Sequence, residues 1–130
     1  MLFMDKIVID KLIEKAKQAG ERAYCPCSEM PVGACVLTRS GMIFTGCNIE
    51  TTALAGSIGA MEVAIAKAIS EGESNIIAIA SYCSEKMVFP TGNERQFLRE
   101  FTERAEIICA TQDKIETFKI QELLPFSMND

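Results

Sequence analysis

Any chemistry in this chain proceeds without imidazole, because the sequence contains no histidine. That removes the commonest general base and the commonest zinc ligand, and with them Ser–His and Cys–His catalysis. Proton transfer is left to carboxylates, thiols, lysines and tyrosines. The thiols are Cys25, Cys27, Cys35, Cys47, Cys83 and Cys109. No pair has C-x-x-C spacing and only Cys25-Pro26-Cys27 is close, so buried reduced cysteines are expected rather than a redox or metal element. The stretch SIGAMEVAIAKAIS, residues 57–70, bears most on function. It reads as a helix entering the centre of the fold with glycine, alanine and methionine at its leading end, where no acid, thiol or imidazole stands.

The elements that must position these groups follow from periodicity. Residues 5–22 set Ile9, Leu12, Ile13, Ala16 and Ala19 at helical spacing, with Lys and Glu opposite, which predicts an amphipathic helix on a core. VGACVLT (32–38) and MIFTGC (42–47) are β-rich runs joined by Arg39-Ser40-Gly41, a hairpin. The loop NIETTALAG leads to the helix at 58–71, whose charges are Glu62, Lys67 and Glu71; Ser57 is a candidate N-cap and Gly72 suits the C-terminal cap. So apolar a helix must be buried on several sides. IIAIASY (76–82) reads as a strand covered on both faces. Residues 93–105 follow, with Phe97, Leu98, Phe101 and Ala105 on one face, then strands at 106–111 and 115–120 and a helical turn at ELLP. Helices between strands imply crossovers and some parallel pairing. The expected fold class is α/β: one domain over 1–130, a three-layer α/β/α sandwich on a five-stranded mixed sheet.

The chain has 130 residues, is 48% hydrophobic and 24% charged, and carries a net charge of −5. These values suit a globular domain with a real core. The acidic balance argues against nucleic acid or anionic membranes as partners. The opening segment MLFMDKIVID is interrupted by charges, unlike a secretory signal, and no apolar run approaches the ~20 residues of a membrane span. A cytoplasmic location is expected.

AYCPCSEMPVGACVLTRSGMIFTGCNIE, AIAKAISEG, ERQFLREF and ELLPF together resemble the cytidine deaminases of the small, homotetrameric type, a plan shared by blasticidin deaminases. The resemblance spans nearly the whole chain; V-G-A near Val32, T-G-C-N-x-E at 45–50, R-Q at 95–96 and the E-L-L-P ending carry it most specifically. It implies a zinc held by one cysteine at the start of the central helix and two at the start of the next. It also implies a glutamate that shuttles protons to a metal-activated water, in signatures resembling C-A-E-R and P-C-x-x-C.

Laid on those signatures, the first ligand position is Gly59, followed by Ala60, and the proton-shuttle position is Met61. The second and third ligand positions are Thr91 and Glu94. No catalytic residue, metal or cofactor is therefore expected. Glu62 stands one place beyond the shuttle position, and one helical residue turns a side chain by about 100°. Zinc held by one carboxylate without cysteine or histidine would be weak. Thr91-x-x-Glu94 has the spacing of a capping box, which would close the helix end without a metal.

The resemblance also places Asn48 and Glu50 where the family grips the ribose hydroxyls; the competing reading has them organise the loop NIETTALAG through turn hydrogen bonds. Met30 replaces the aromatic residue beside the base, and Leu54-Ala55 replaces a tyrosine-glycine pair. Arg95 is kept, with Glu94 or Glu62 as expected partner. The candidate ligand-binding set is thus Asn48, Glu50, Met30, Ala60, Met61, Thr91 and Glu94. Three functions follow. The first is a zinc-free deaminase-like protein that binds a nucleoside or related small molecule. The second is a structural partner, either a homo-oligomer, expected as a tetramer, or a companion of an active deaminase. The third is a hydrolase with altered chemistry that uses Glu62, Glu94 or a cysteine.

Overall fold

The computed structural model describes residues 4–130; the side chain of Leu54, and the part of the opening segment before Met4, lie outside the described residues. Asp5 starts the first helix, α1 (Lys6–Gly20), by accepting the amides of Ile7 and Val8 at 2.7 and 3.4 Å. The stripe that gave α1 its periodicity becomes its buried face, with Leu12 and Ala16 fully inside. β1 (Gly33–Thr38) and β2 (Ile43–Cys47) form the hairpin, turning at Gly41 with φ 93°. A 3-10 turn at Leu54–Gly56 precedes α2 (Ala60–Ser70). β3 (Ile76–Tyr82), α3 (Gly92–Glu100), β4 (Glu106–Ala110), β5 (Ile115–Lys119) and α4 (Ile120–Leu123) complete the order.

The sheet runs β2-β1-β3-β4-β5, and only β3 and β4 pair parallel. That one parallel pair is the consequence of α3 crossing between them. Alternation along the strands makes two cores. Cys35, Ala78, Ala80 and Ile108 face α1, while Ala34, Val36, Ile79, Ile107 and Cys109 face α2, α3 and α4. The α/β/α sandwich on a five-stranded mixed sheet is therefore present.

Three local expectations are corrected. α2 starts at Ala60, not residue 58, because Ile58 is held extended in an antiparallel bridge with Ile49. Ser57 consequently does not cap α2: its hydroxyl accepts the Thr51 amide at 2.9 Å, and the N-cap is Gly59, which has no side chain to offer. α3 ends with Phe101 as C-cap, so Ala105 is buried ahead of β4 rather than on the helix. Gly72 does close α2. At φ 89° its amide reaches Ile69 O at 3.0 Å and the Glu73 amide reaches Ala68 O at 2.9 Å, the paired bonds of a Schellman motif. No helix among the described residues is long and apolar enough to cross a membrane.

Candidate functional site at two helix N-termini

The N-termini of α2 and α3 lie beside each other, and one carboxylate serves both. Thr91 caps α3 by accepting the Glu94 amide at 3.1 Å, and Glu94 Oε1 accepts the Thr91 amide at 3.1 Å, so the expected capping box is formed. The second oxygen does something the local pattern does not contain. Glu94 Oε2 accepts the amide of Glu62, in the first turn of α2, at 3.1 Å. The side chain is buried, with Glu94 5% exposed. Each helix start presents free N–H groups and partial positive charge, and a buried carboxylate satisfies one donor from each.

Gly59 is what admits it. A Cβ on Gly59 would stand 2.4 Å from Glu94 Oε2 and 3.0 Å from its Cδ. The backbone there is ordinary, φ −76° and ψ 158°, so glycine is needed for the close approach and not for its conformational range. The space that a side chain at 59 would take is filled by the carboxylate of Glu94.

The neighbouring groups are apolar or otherwise engaged. Ala60 and Met61 are 4% and 3% exposed and pack in the core between α2 and the sheet. Glu62 is half-buried; its carboxyl is raised above its ordinary value, first by burial and then by the Glu94 charge, with the Gly59 amide acting the other way. Arg95 corrects an expectation: it pairs with neither Glu94 nor Glu62. Its Nε donates to Pro90 O at 2.8 Å and an NH2 group donates to Leu123 O at 2.9 Å, tying α3 to the end of α4.

Zinc does not match this donor set. One carboxylate already holding two amides, with a threonine hydroxyl holding a third, offers no thiolate or imidazole. Among the described residues, no three His, Cys, Asp or Glu side chains stand together as metal ligands. Burial first, and then the Glu50 and Glu29 carboxylates, raise the Cys25 thiol above its ordinary value.

The bridge between Ile49 and Ile58 carries residues 48–50 alongside the approach to α2, which brings Asn48 and Glu50 near Gly59 in the chain path. Both side chains hold the segment 27–32. Asn48 accepts the Val32 amide at 2.9 Å and donates to Met30 O at 3.1 Å. Glu50 accepts the Cys27 and Ser28 amides at 3.0 Å each and the Ser28 hydroxyl at 2.6 Å. These bonds, led by the hydroxyl, hold the Glu50 carboxyl below its ordinary value. The loop they organise is thus the one ahead of β1, not NIETTALAG. Met30 is half-buried against the main core, and Thr91 is exposed. Sequence reasoning missed the Glu62 amide, Ser28 and the Arg95 acceptors. All but the Pro90 acceptor are partners more than 20 residues away, for which spacing gives no signal.

Comparison with known proteins agrees with this fold and identifies the family. The sequence profile described as "Cytidine and deoxycytidylate deaminase zinc-binding region" matches residues 7–114. A cytidine deaminase of Sporosarcina psychrophila is 39% identical, the alignment covering 94% of this chain and 93% of that one. A probable cytidine deaminase of Dictyostelium discoideum is 37% identical, with 98% and 89% covered. The crystal structure of cytidine deaminase from Burkholderia pseudomallei superposes with a TM-score of 0.88 at 30% identity, covering 96% of this chain and all of that one. Fold, order of elements and sequence together place the chain in the cytidine and deoxycytidylate deaminase family.

Proposed function

We propose that this protein is a family member without a zinc centre, which binds a nucleoside or related small molecule and does not deaminate it. The observation carrying this reading is the contact between Gly59 and Glu94. A carboxylate occupies the volume of any side chain at 59 and uses both oxygens on helix amides. Met61, at the position of the proton shuttle, has no ionisable group and is buried. Hydrolytic deamination needs an activated water, and this constellation has no thiolate or imidazole to hold a metal that would activate one.

The binding half of the proposal rests on unused capacity at Asn48 and Glu50. Beyond its two bonds, Asn48 retains one N–H and one lone pair, and Glu50 retains about one acceptor site. A ribose diol needs that combination of donor and acceptors. Met30 and Thr91 would border the ligand, while Ala60 and Met61 would back it from the core. A cytoplasmic location belongs to the same reading, consistent with six free cysteines.

Cytidine and uridine titrated by calorimetry, with absorbance at the cytidine band followed in parallel, test it. Saturable heat without loss of cytidine absorbance is expected. Turnover of cytidine, or no binding of either nucleoside at millimolar concentration, overturns it.

A second reading, assembly into an oligomer such as a tetramer, is favoured by a specific surface. Tyr24, Ile49 and Ile58 are joined by backbone bridges and are 61%, 39% and 42% exposed, an apolar strip beside the site. Light scattering of a lone monomer at micromolar concentration overturns that reading.

A further inference from the structure

We propose a second site, at the opposite end of the sheet, that takes a small phosphorylated molecule. A cleft of about 990 Å³ opens beneath the first residues of β3 and β4, a volume at the upper end of the ~300–1,000 Å³ usual for small-ligand sites. Four cations from separate parts of the chain line it: Arg39 after β1, Arg99 on α3, Arg104 before β4 and Lys119 at the end of β5.

Ion pairing does not account for their convergence. The salt bridges among the described residues are Lys6–Asp10 and Arg99–Asp130, which leaves Arg39, Arg104 and Lys119 without a carboxylate partner. Arg99 is the fixed member, 11% exposed at its side chain, donating to Thr102 O at 3.2 Å and Asp130 Oδ1 at 3.0 Å, with its Nε buried and unpartnered. The Arg39 backbone is pinned as well, its amide donating to Asn75 O at 2.8 Å. Holding Arg39, Arg104 and Lys119 near one another with no carboxylate in ion-pairing contact is unfavourable, and a bound anion lowers that cost. The guanidinium fork matches phosphoryl oxygens, and a lysine adds a point charge.

Glu100, Glu103 and Glu106 also line the cleft, and they set its limits. Asp130 balances Arg99 and the three glutamates match Arg39, Arg104 and Lys119 in number, so what the cleft offers an anion is three cations held beyond ion-pairing distance of those acids, not a net positive charge. The acids repel a densely charged polymer, so the occupant is a small molecule with one phosphoryl end. Glu100 is partly engaged, accepting from Asn129 Nδ2 at 3.3 Å.

The test titrates the whole protein with inorganic pyrophosphate by calorimetry at low salt, and in parallel with succinate. Pyrophosphate is expected to bind with a Kd below about 1 mM, weakened about tenfold by Arg39→Gln or Arg104→Gln. Lys67→Gln, on the exposed side of α2, is expected to leave it unchanged. Urea midpoints of the variants, expected to equal that of the parent, separate lost binding from lost folding. Absence of pyrophosphate binding, equal affinity in the arginine variants, or equal loss in Lys67→Gln overturns the site. Succinate binding as tightly as pyrophosphate overturns its phosphoryl preference. No substitution in this test touches the N-terminus of α2 or of α3, so the result is independent of the zinc question.

Discussion

Gly59→Ala probes the arrangement at its tightest point. The new methyl would begin 2.4 Å from Glu94 Oε2, against the 3.4 Å at which ordinary contact starts, so the carboxylate must retreat by about 1 Å. The bonds it accepts from the Glu62 and Thr91 amides are already 3.1 Å long, and such a shift takes at least one past hydrogen-bonding distance. Overpacking costs about 1–3 kcal/mol and a lost bond to a charged group about 1.5–3 kcal/mol, partly alternative to each other, so a destabilisation of about 2–4 kcal/mol is expected. In a Glu94→Ala background the obstruction is gone. Gly59→Ala should then cost less than about 1 kcal/mol, the ordinary difference between glycine and alanine at an N-cap. Urea unfolding of the four proteins at one fixed concentration gives the coupling, expected at about 1.5–3 kcal/mol. Equal costs in both backgrounds would refute the reasoning, because the glycine would then serve something other than the carboxylate.

Thr91→Ala removes one arm of the capping box and should cost about 1 kcal/mol in the same assay. Gly72→Ala places a side chain at φ 89° and should cost about 1 kcal/mol, with no effect on ligand binding. The Glu50 carboxyl is held below its ordinary value of 4.5, so its contribution is complete above that value and is lost as the pH falls through the depressed one. Unfolding midpoints measured from about pH 6 down to about pH 3 should therefore decline less steeply in Glu50→Gln than in the parent, and identical profiles would count against the Ser28 and Cys27 bonds.

Local patterns were readable in the sequence because their physics is local. The alternation of β1 and β3, the apolar stripe of α1, the Gly72 terminator and the Thr91–Glu94 box each depend on residues a few positions apart. What escaped depends on contacts that only the assembled fold creates. Ser57 has the right type and place for a cap, yet the Ile49–Ile58 bridge keeps the chain extended to Gly59 and hands Ser57 to Thr51. Arg95 beside two acids reads as an ion pair, but its guanidinium is taken by the carbonyls of Pro90 and Leu123. Glu94 reads as a local cap, and half of what it does is to hold α2, 32 residues away. Asn48 and Glu50 could be placed at a strand end from sequence, but their hold on residues 27–32 follows from the register of the loop.

Zinc content bears most directly on the central claim. The protein is produced with zinc in the medium, dialysed against a weak chelator and assayed for metal by mass spectrometry. With Glu94 seated against Gly59 and no thiolate at either helix start, far less than one zinc per chain is the predicted result. One zinc per chain retained through dialysis, and lost in Glu94→Ala, would contradict it.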